Sequence, residues 1–152
     1  MKPPFLIHVG VLAVLAAGCS DTTETSLTTP PELTILAPGQ LMDGPPPHES
    51  LLTPEIVTLG TPFLVTATSF GSGSCTEEAG YQSVTSPVRA EIRLFDRVAP
   101  EGSSCSRDLR SFPRTLIVRF DRVGVSEVVV IGRDGNGSAL EIRRAVVVQD
   151  SL

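Results

Sequence analysis

"FDRVGVSEVVVIGRDGNGSALEIRRAVVV", residues 120–148, holds two apolar runs around a short polar insert, and the spacing of its side chains decides the fold. Val125 to Ile131 and Leu140 to Val148 are rich in β-branched residues, which fit a pleated, half-buried surface, and their periodicity is that of strands rather than helices. Between them "GRDGNGSA" carries Asp-Gly and Asn-Gly pairs, which tolerate the positive φ that a tight hairpin demands. Two strands joined by a hairpin are therefore expected. Arg143-Arg144 breaks strict alternation in the second strand, and a β-bulge is the expected accommodation.

The same period extends outward from this hairpin. Leu116, Val118 and Phe120 alternate with Ile117, Arg119 and Asp121, while Val88, Ala90, Ile92 and Leu94 alternate with Arg89, Glu91 and Arg93. That is the pattern of a sheet with one wet face. Phe63 to Thr68 is β-rich as well, and the best candidate for a helical turn or two is Ser106 to Ser111. Six to eight short strands with turn signals between them indicate an all-β chain folded as a β-sandwich over residues 51–152.

Phe112 to Val148 resembles the closing strands of immunoglobulin-like domains of the PKD and bacterial Ig-like kind. It has an aromatic residue, a turn glycine, an alternating V-x-V strand, a D-x-x-G-type hairpin and a valine-rich last strand. The resemblance covers about a quarter of the chain and implies a single immunoglobulin-like β-sandwich. The chain has no tryptophan, so the core Trp of antibody-type domains has no counterpart.

The N-terminus reads as an address. Met1-Lys2 supplies one positive charge, Phe5 to Ala17 is apolar apart from His8, and Ala16-Ala17-Gly18 are small residues before Cys19, the pattern of a secretory signal. The apolar run is shorter than the roughly 20 residues that span a bilayer as a helix. Leu15-Ala16-Ala17-Gly18-Cys19 resembles the lipobox of bacterial lipoproteins, which implies that residues 1–18 are removed and that Cys19 carries the lipid as the mature N-terminus. Ser20 after the cysteine resembles lipoproteins sorted to the outer membrane. The alternative is an ordinary secretory signal cut near Gly18, with Cys19 incidental. Residues 19–50, rich in Thr, Ser and Pro, then read as a lipidated N-terminus and disordered tether, stiffened by Pro30-Pro31 and Pro45-Pro46-Pro47. Leu33-Thr34-Ile35-Leu36 interrupts the polar bias and is either more tether or a first edge strand docked on the domain.

With Cys19 assigned to the lipid, Cys75 and Cys105 remain as an even pair in an exported, oxidising setting, so a disulfide is expected. It would join the Gly/Ser-rich loops "FGSGSCTEEAGY" and "APEGSSCSRDL" and add roughly 3 to 4 kcal/mol in the chain-entropy model. The alternative of a metal pair lacks the histidines of a zinc shell. No cofactor and no metal is expected.

Composition excludes more chemistry than it suggests. A net charge of −5 and no basic cluster disfavour a nucleic-acid partner. Lys2 is the only lysine, so a mature form has no amine for Schiff-base chemistry. His8 falls in the signal and His48 in the tether, which leaves the domain without a histidine base. Glu77-Glu78 and the Asp96/Glu101 region offer carboxylates for acid–base work but read as solvated loop residues. Phe70 to Ser74 reads as a flexible loop, not a phosphate cradle, since neither a helix start nor a lysine follows. Asp134-Gly135-Asn136-Gly137-Ser138 places oxygen donors at alternate positions, as calcium loops do, yet lacks the later bidentate glutamate, so a hairpin turn is expected.

Tyr81, Arg107, Arg110, Phe112 and Arg114 cluster in sequence around the cysteines, as an amphipathic rim for a protein or glycan partner or as ordinary solvated arginines. The expected function is therefore that of a non-catalytic envelope lipoprotein, held to the membrane through Cys19, whose sandwich binds an envelope protein or glycan at the cell surface or in the periplasm. A secreted inhibitor or chaperone-like module is the alternative, and a carboxylate-based hydrolase the second alternative.

Overall fold

In a computed structural model of the chain, residues 31–150 are described; the signal segment, Cys19 and the first part of the tether lie outside them. The described residues form the strands β1 (Ile35–Pro38), β2 (Leu51–Leu52), β3 (Ile56–Thr58), β4 (Phe63–Ser72), β5 (Thr76–Ser86), β6 (Arg89–Val98), β7 (Leu109–Val118), β8 (Gly124–Arg133) and β9 (Ala139–Gln149). They assemble as two sheets, and no helix occurs among them.

The hairpin read from residues 120–148 is β8 and β9, paired one for one from Gly124–Val148 to Arg133–Ala139. Its turn is closed by Asp134, whose Oδ1 accepts the amides of Asn136 and Ser138 at 2.8 Å each, and by Gly137 at φ +85°. No bulge forms at Arg143-Arg144, contrary to expectation. Alternation runs straight through: Ile142, Val146 and Val148 are buried, and Arg144 keeps the inward place between them. Its guanidinium escapes sideways to Asp43 at 2.9 Å and Glu49 at 3.4 Å, which relieves the need for a bulge. The register shift falls in β5 instead, between Glu78 and Gly80, where Gly80 has φ +118°.

In the larger sheet, β5 covers one side of β6 along its length. The other side is shared: β8 runs parallel to Arg89–Arg93 and β1 antiparallel to Phe95–Val98, with β9 and then β3 beyond β8. After β6 the chain crosses to the smaller sheet, β2-β4-β7, contributes β7, and returns as β8. Between the sheets pack Val65, Ile92, Leu116, Phe120, Val130 and Val146, all at most 5% exposed. Phe63 closes one end against Phe120, ring centroids 5.5 Å apart.

Two expectations are corrected. The folded unit begins at Ile35 rather than at residue 51, and the apolar Leu33–Leu36 stretch marks its first strand. The segment that follows joins the two sheets. The Phe70 amide donates to the Gln40 carbonyl at 2.9 Å, and the Leu41 amide donates to Arg133 at 2.7 Å. Leu41 and Ser50 are buried. This close passage requires glycine. A Cβ on Gly39 would lie 2.9 Å from the Ser69 Cβ, and one on Gly132 would lie 2.8 Å from the Leu41 Cγ and collide with the Gly39 carbonyl. The helical turn expected at Ser106–Ser111 is also absent. Leu109 to Ser111 pair with Ser72 to Phe70 as the start of β7, and Pro113 two residues on is incompatible with a helix interior.

Candidate functional site

Where β4 turns into β5 and β6 leads into β7, two polar loops are zipped together. Cys75 and Cys105 are disulfide-bonded with Cα atoms 5.5 Å apart. Serine hydroxyls complete the join: Ser72 Oγ donates to the Ser106 carbonyl at 2.9 Å, the Ser74 amide donates to Ser106 Oγ at 3.1 Å, and the Ser106 amide donates to Ser74 Oγ at 2.7 Å. The "SGSC" and "SCSRD" sequences are small and hydroxyl-rich because each loop must satisfy the other's amides at close range.

Asp108 anchors this end. Its Oδ1 accepts the Gly73 amide at 3.2 Å and the Ser106 hydroxyl, and its Oδ2 accepts Arg110 Nε at 2.8 Å. These hold its carboxyl below the ordinary value of 3.8, the Ser106 hydrogen bond most of all and Arg110 next. Arg107 and Arg110 both stand exposed here.

The other rim candidates separate. Phe112, half-buried, lies further along β7 opposite Ser69, and Tyr81, 46% exposed, lies on β5 opposite Leu94. Arg114 does not belong to a solvated rim, because it is buried at 4% exposure on the inward side of β7. Its Nη2 sits 2.5 Å from Asp96 Oδ1 and 2.9 Å from the Phe95 carbonyl; its Nη1 sits 2.6 Å from Ser69 Oγ and 2.9 Å from the Phe112 carbonyl. Asp96, expected on a solvated loop, lies within β6 at 1% exposure and also accepts the Ser69 hydroxyl at 2.9 Å. The cluster pins β4 and β7 of one sheet to β6 of the other. Glu78 approaches Arg114 Nε at 3.7 Å from the surface side. Asp96 faces a guanidinium and no solvent, an arrangement that balances charge and does not present a carboxyl to a solute. Sequence alone offers only parity as a signal: Arg114 shares the alternation of Phe112, Leu116 and Val118.

His48 is likewise within the folded unit and not the tether, its ring 6.1 Å from that of Phe70. The expectation of a domain without histidine is therefore corrected. Pro46 and Pro47, with Leu52, Thr66, Thr68 and Pro113, line a shallow cavity of about 230 Å³ on the outer face of the smaller sheet. That is below the roughly 300 Å³ at which small-molecule pockets begin.

The two outer faces differ in charge. On the larger sheet Arg89, Glu91, Glu127, Glu141 and Arg143 interlock, with Arg143 2.6 Å from Glu141 and 3.4 Å from Glu127. On the smaller sheet Leu64, Thr66, Thr115 and Ile117 present no charge, and this neutral surface runs along β7 through Pro113 and Ser111 to Leu109, beside the stapled end. No protein-family model, no curated protein and no solved structure matches this chain. Function therefore has to be argued from these surfaces.

Proposed function

We infer that the protein is a non-catalytic envelope lipoprotein, held to the outer membrane through lipid on Cys19, whose sandwich presents its stapled end to a protein or glycan partner. The observation that carries this reading is the zipped pair of loops around Cys75–Cys105. A disulfide and a ladder of serine hydrogen bonds hold the loop backbone that carries two exposed arginines, Arg107 and Arg110, and Asp108 accepts Arg110 Nε at 2.8 Å. Such pre-organisation lowers the ordering cost of association, and arginine is enriched at interfaces. The uncharged positions Leu109, Ser111, Pro113, Thr115 and Ile117, which alternate along β7 with Arg110 and Arg114, supply the apolar part of the contact from the outer face of the smaller sheet. A disulfide fits an exported protein, and the lipobox-like Leu15–Cys19 supplies the address.

The test is capture from envelope by the full-length protein bearing a photo-crosslinker at Leu109. A single crosslinked species is expected, lost in Arg107→Glu/Arg110→Glu while the disulfide stays intact by mass. Equal crosslinking by that double variant, or none by either protein, would remove the stapled end as the binding surface.

A further inference from the structure

The chain enters its fold at the stapled end. Ile35, the first residue of β1, pairs with Val98 on one side of β6, while Thr76, next to Cys75, pairs with Val98 on the other. Ile35 and Thr76 are thus two strand spacings apart, about 10 Å. The Ala99 amide donates to the Cys75 carbonyl at 3.0 Å and closes this end beside the disulfide. From here β6 runs back to Arg89, which pairs with Glu127 near the start of β8, so the opposite end lies about 33 Å off. Ile35 follows Cys19 by 16 residues, and a chain of that length spans at most about 55 Å in any conformation. Lipid on Cys19 would therefore keep the stapled end within about 55 Å of the bilayer in every orientation, whereas the opposite end can stand about 33 Å farther out.

The charges of this end are mostly paired. Arg97 stands 3.7 Å from Glu77, Arg110 stands 2.8 Å from Asp108, and Arg114 is buried against Asp96. Arg107 is exposed and, among the described residues, has no carboxylate partner. A lipid headgroup surface rewards clusters of free cations, and here one free arginine stands among Glu77, Glu78, Glu101 and Asp108. A single cation beside the exposed Leu109 suits instead a protein that offers a carboxylate and an apolar side chain.

We propose that the stapled end docks on a protein seated in the membrane that holds Cys19, with Arg107 against a carboxylate of that protein. This rests on the lipoprotein reading above and names the class and place of its partner. A module held on a short linker meets a site in its own membrane at an effective concentration near millimolar, so a small contact holds. A freely diffusing partner gains nothing from the anchor.

Full-length protein with a photo-crosslinker at Leu109 tests this, beside the same chain with residues 1–19 replaced by an ordinary secretory signal, which leaves it unlipidated. The lipidated chain is expected to crosslink one protein that stays in the membrane through an alkaline wash. At equal amount, the unlipidated chain is expected to give that adduct at a yield lower by about tenfold or more. Arg107→Glu is expected to lose the adduct, whereas Arg122→Glu, exposed at the opposite end, keeps it. A crosslinker at Val123, 53% exposed beside Arg122, is expected to miss this protein. Intact mass with the disulfide closed checks each variant. Equal yield without lipid, equal capture from Val123, an undiminished Arg107→Glu adduct, or an adduct with a soluble protein, a glycan or lipid would each overturn the membrane-seated partner. No adduct at all would take away the binding surface, and an unacylated Cys19 in the native mass would take away the anchor; either ends the proposal, and the mass tells them apart.

Discussion

Replacing Asp96 with asparagine removes the counter-charge of Arg114 while keeping its size. Arg114 would retain Ser69 and the carbonyls of Phe95 and Phe112, but a guanidinium 4% exposed would then lack a buried anion, with Glu78 only at the surface, 3.7 Å from Nε. Breaking such a pair costs about 3–5 kcal/mol, against a total stability of about 5–15 kcal/mol. For a unit of this size that corresponds to a fall in Tm of about 10–20 °C. Replacing both partners is expected to cost far less, because the pair is imperfectly satisfied: Asp96 Oδ2 and Arg114 Nε have no hydrogen-bond partner among the described residues. Asp96→Leu with Arg114→Met should therefore unfold within about 1–2 kcal/mol of the wild type. Urea unfolding followed by circular dichroism on the wild type, the singles and the double yields the coupling energy, expected to exceed about 2 kcal/mol. A loss below about 1 kcal/mol in Asp96→Asn, or a double no better than either single, would refute the reasoning.

Other perturbations probe other parts of the fold. Cys75→Ser/Cys105→Ser should lose roughly 3 kcal/mol and make the urea midpoint insensitive to reductant, which still lowers it in the wild type. Gly132→Ala pushes a methyl into Leu41 and the Gly39 carbonyl and should cost about 1–3 kcal/mol, whereas Gly135→Ala, whose nearest neighbour would be Gln40 Nε2 at 3.7 Å, should cost little in the same melt. The Asp108 carboxyl is held below 3.8 in the folded protein, so its stabilising contribution is present above that value and is lost as pH falls through the folded one. The drop in urea midpoint between about pH 5 and about pH 2.5 should therefore be smaller in Asp108→Asn than in the wild type.

Much of the fold was legible because alternation is a local signal. Val125–Ile131, Leu140–Val148 and Val88–Leu94 each announce a strand without reference to any other part of the chain. Three things were not local. Arg144 breaks the binary pattern yet keeps its place in register, because Asp43 and Glu49, distant in sequence, receive its charge. Residues 35–50 look like tether by composition, and only the notch left by Gly132 shows why Leu41 is buried there. Arg114 resembles its neighbours Arg107 and Arg110 until Asp96 arrives from the opposite sheet. The stapled end was the most legible part of the candidate site, since two cysteines in hydroxyl-rich loops name their own partners. Its serine ladder emerged only when the loops were brought face to face.

The envelope reading is decided by the intact mass of native protein from a washed envelope fraction, taken with and without reduction and alkylation. A chain beginning at Cys19 with acyl groups attached, whose Cys75 and Cys105 become alkylatable only after reduction, is the expected result. An unacylated protein in the soluble fraction would contradict it, and would move the secreted inhibitor to first place.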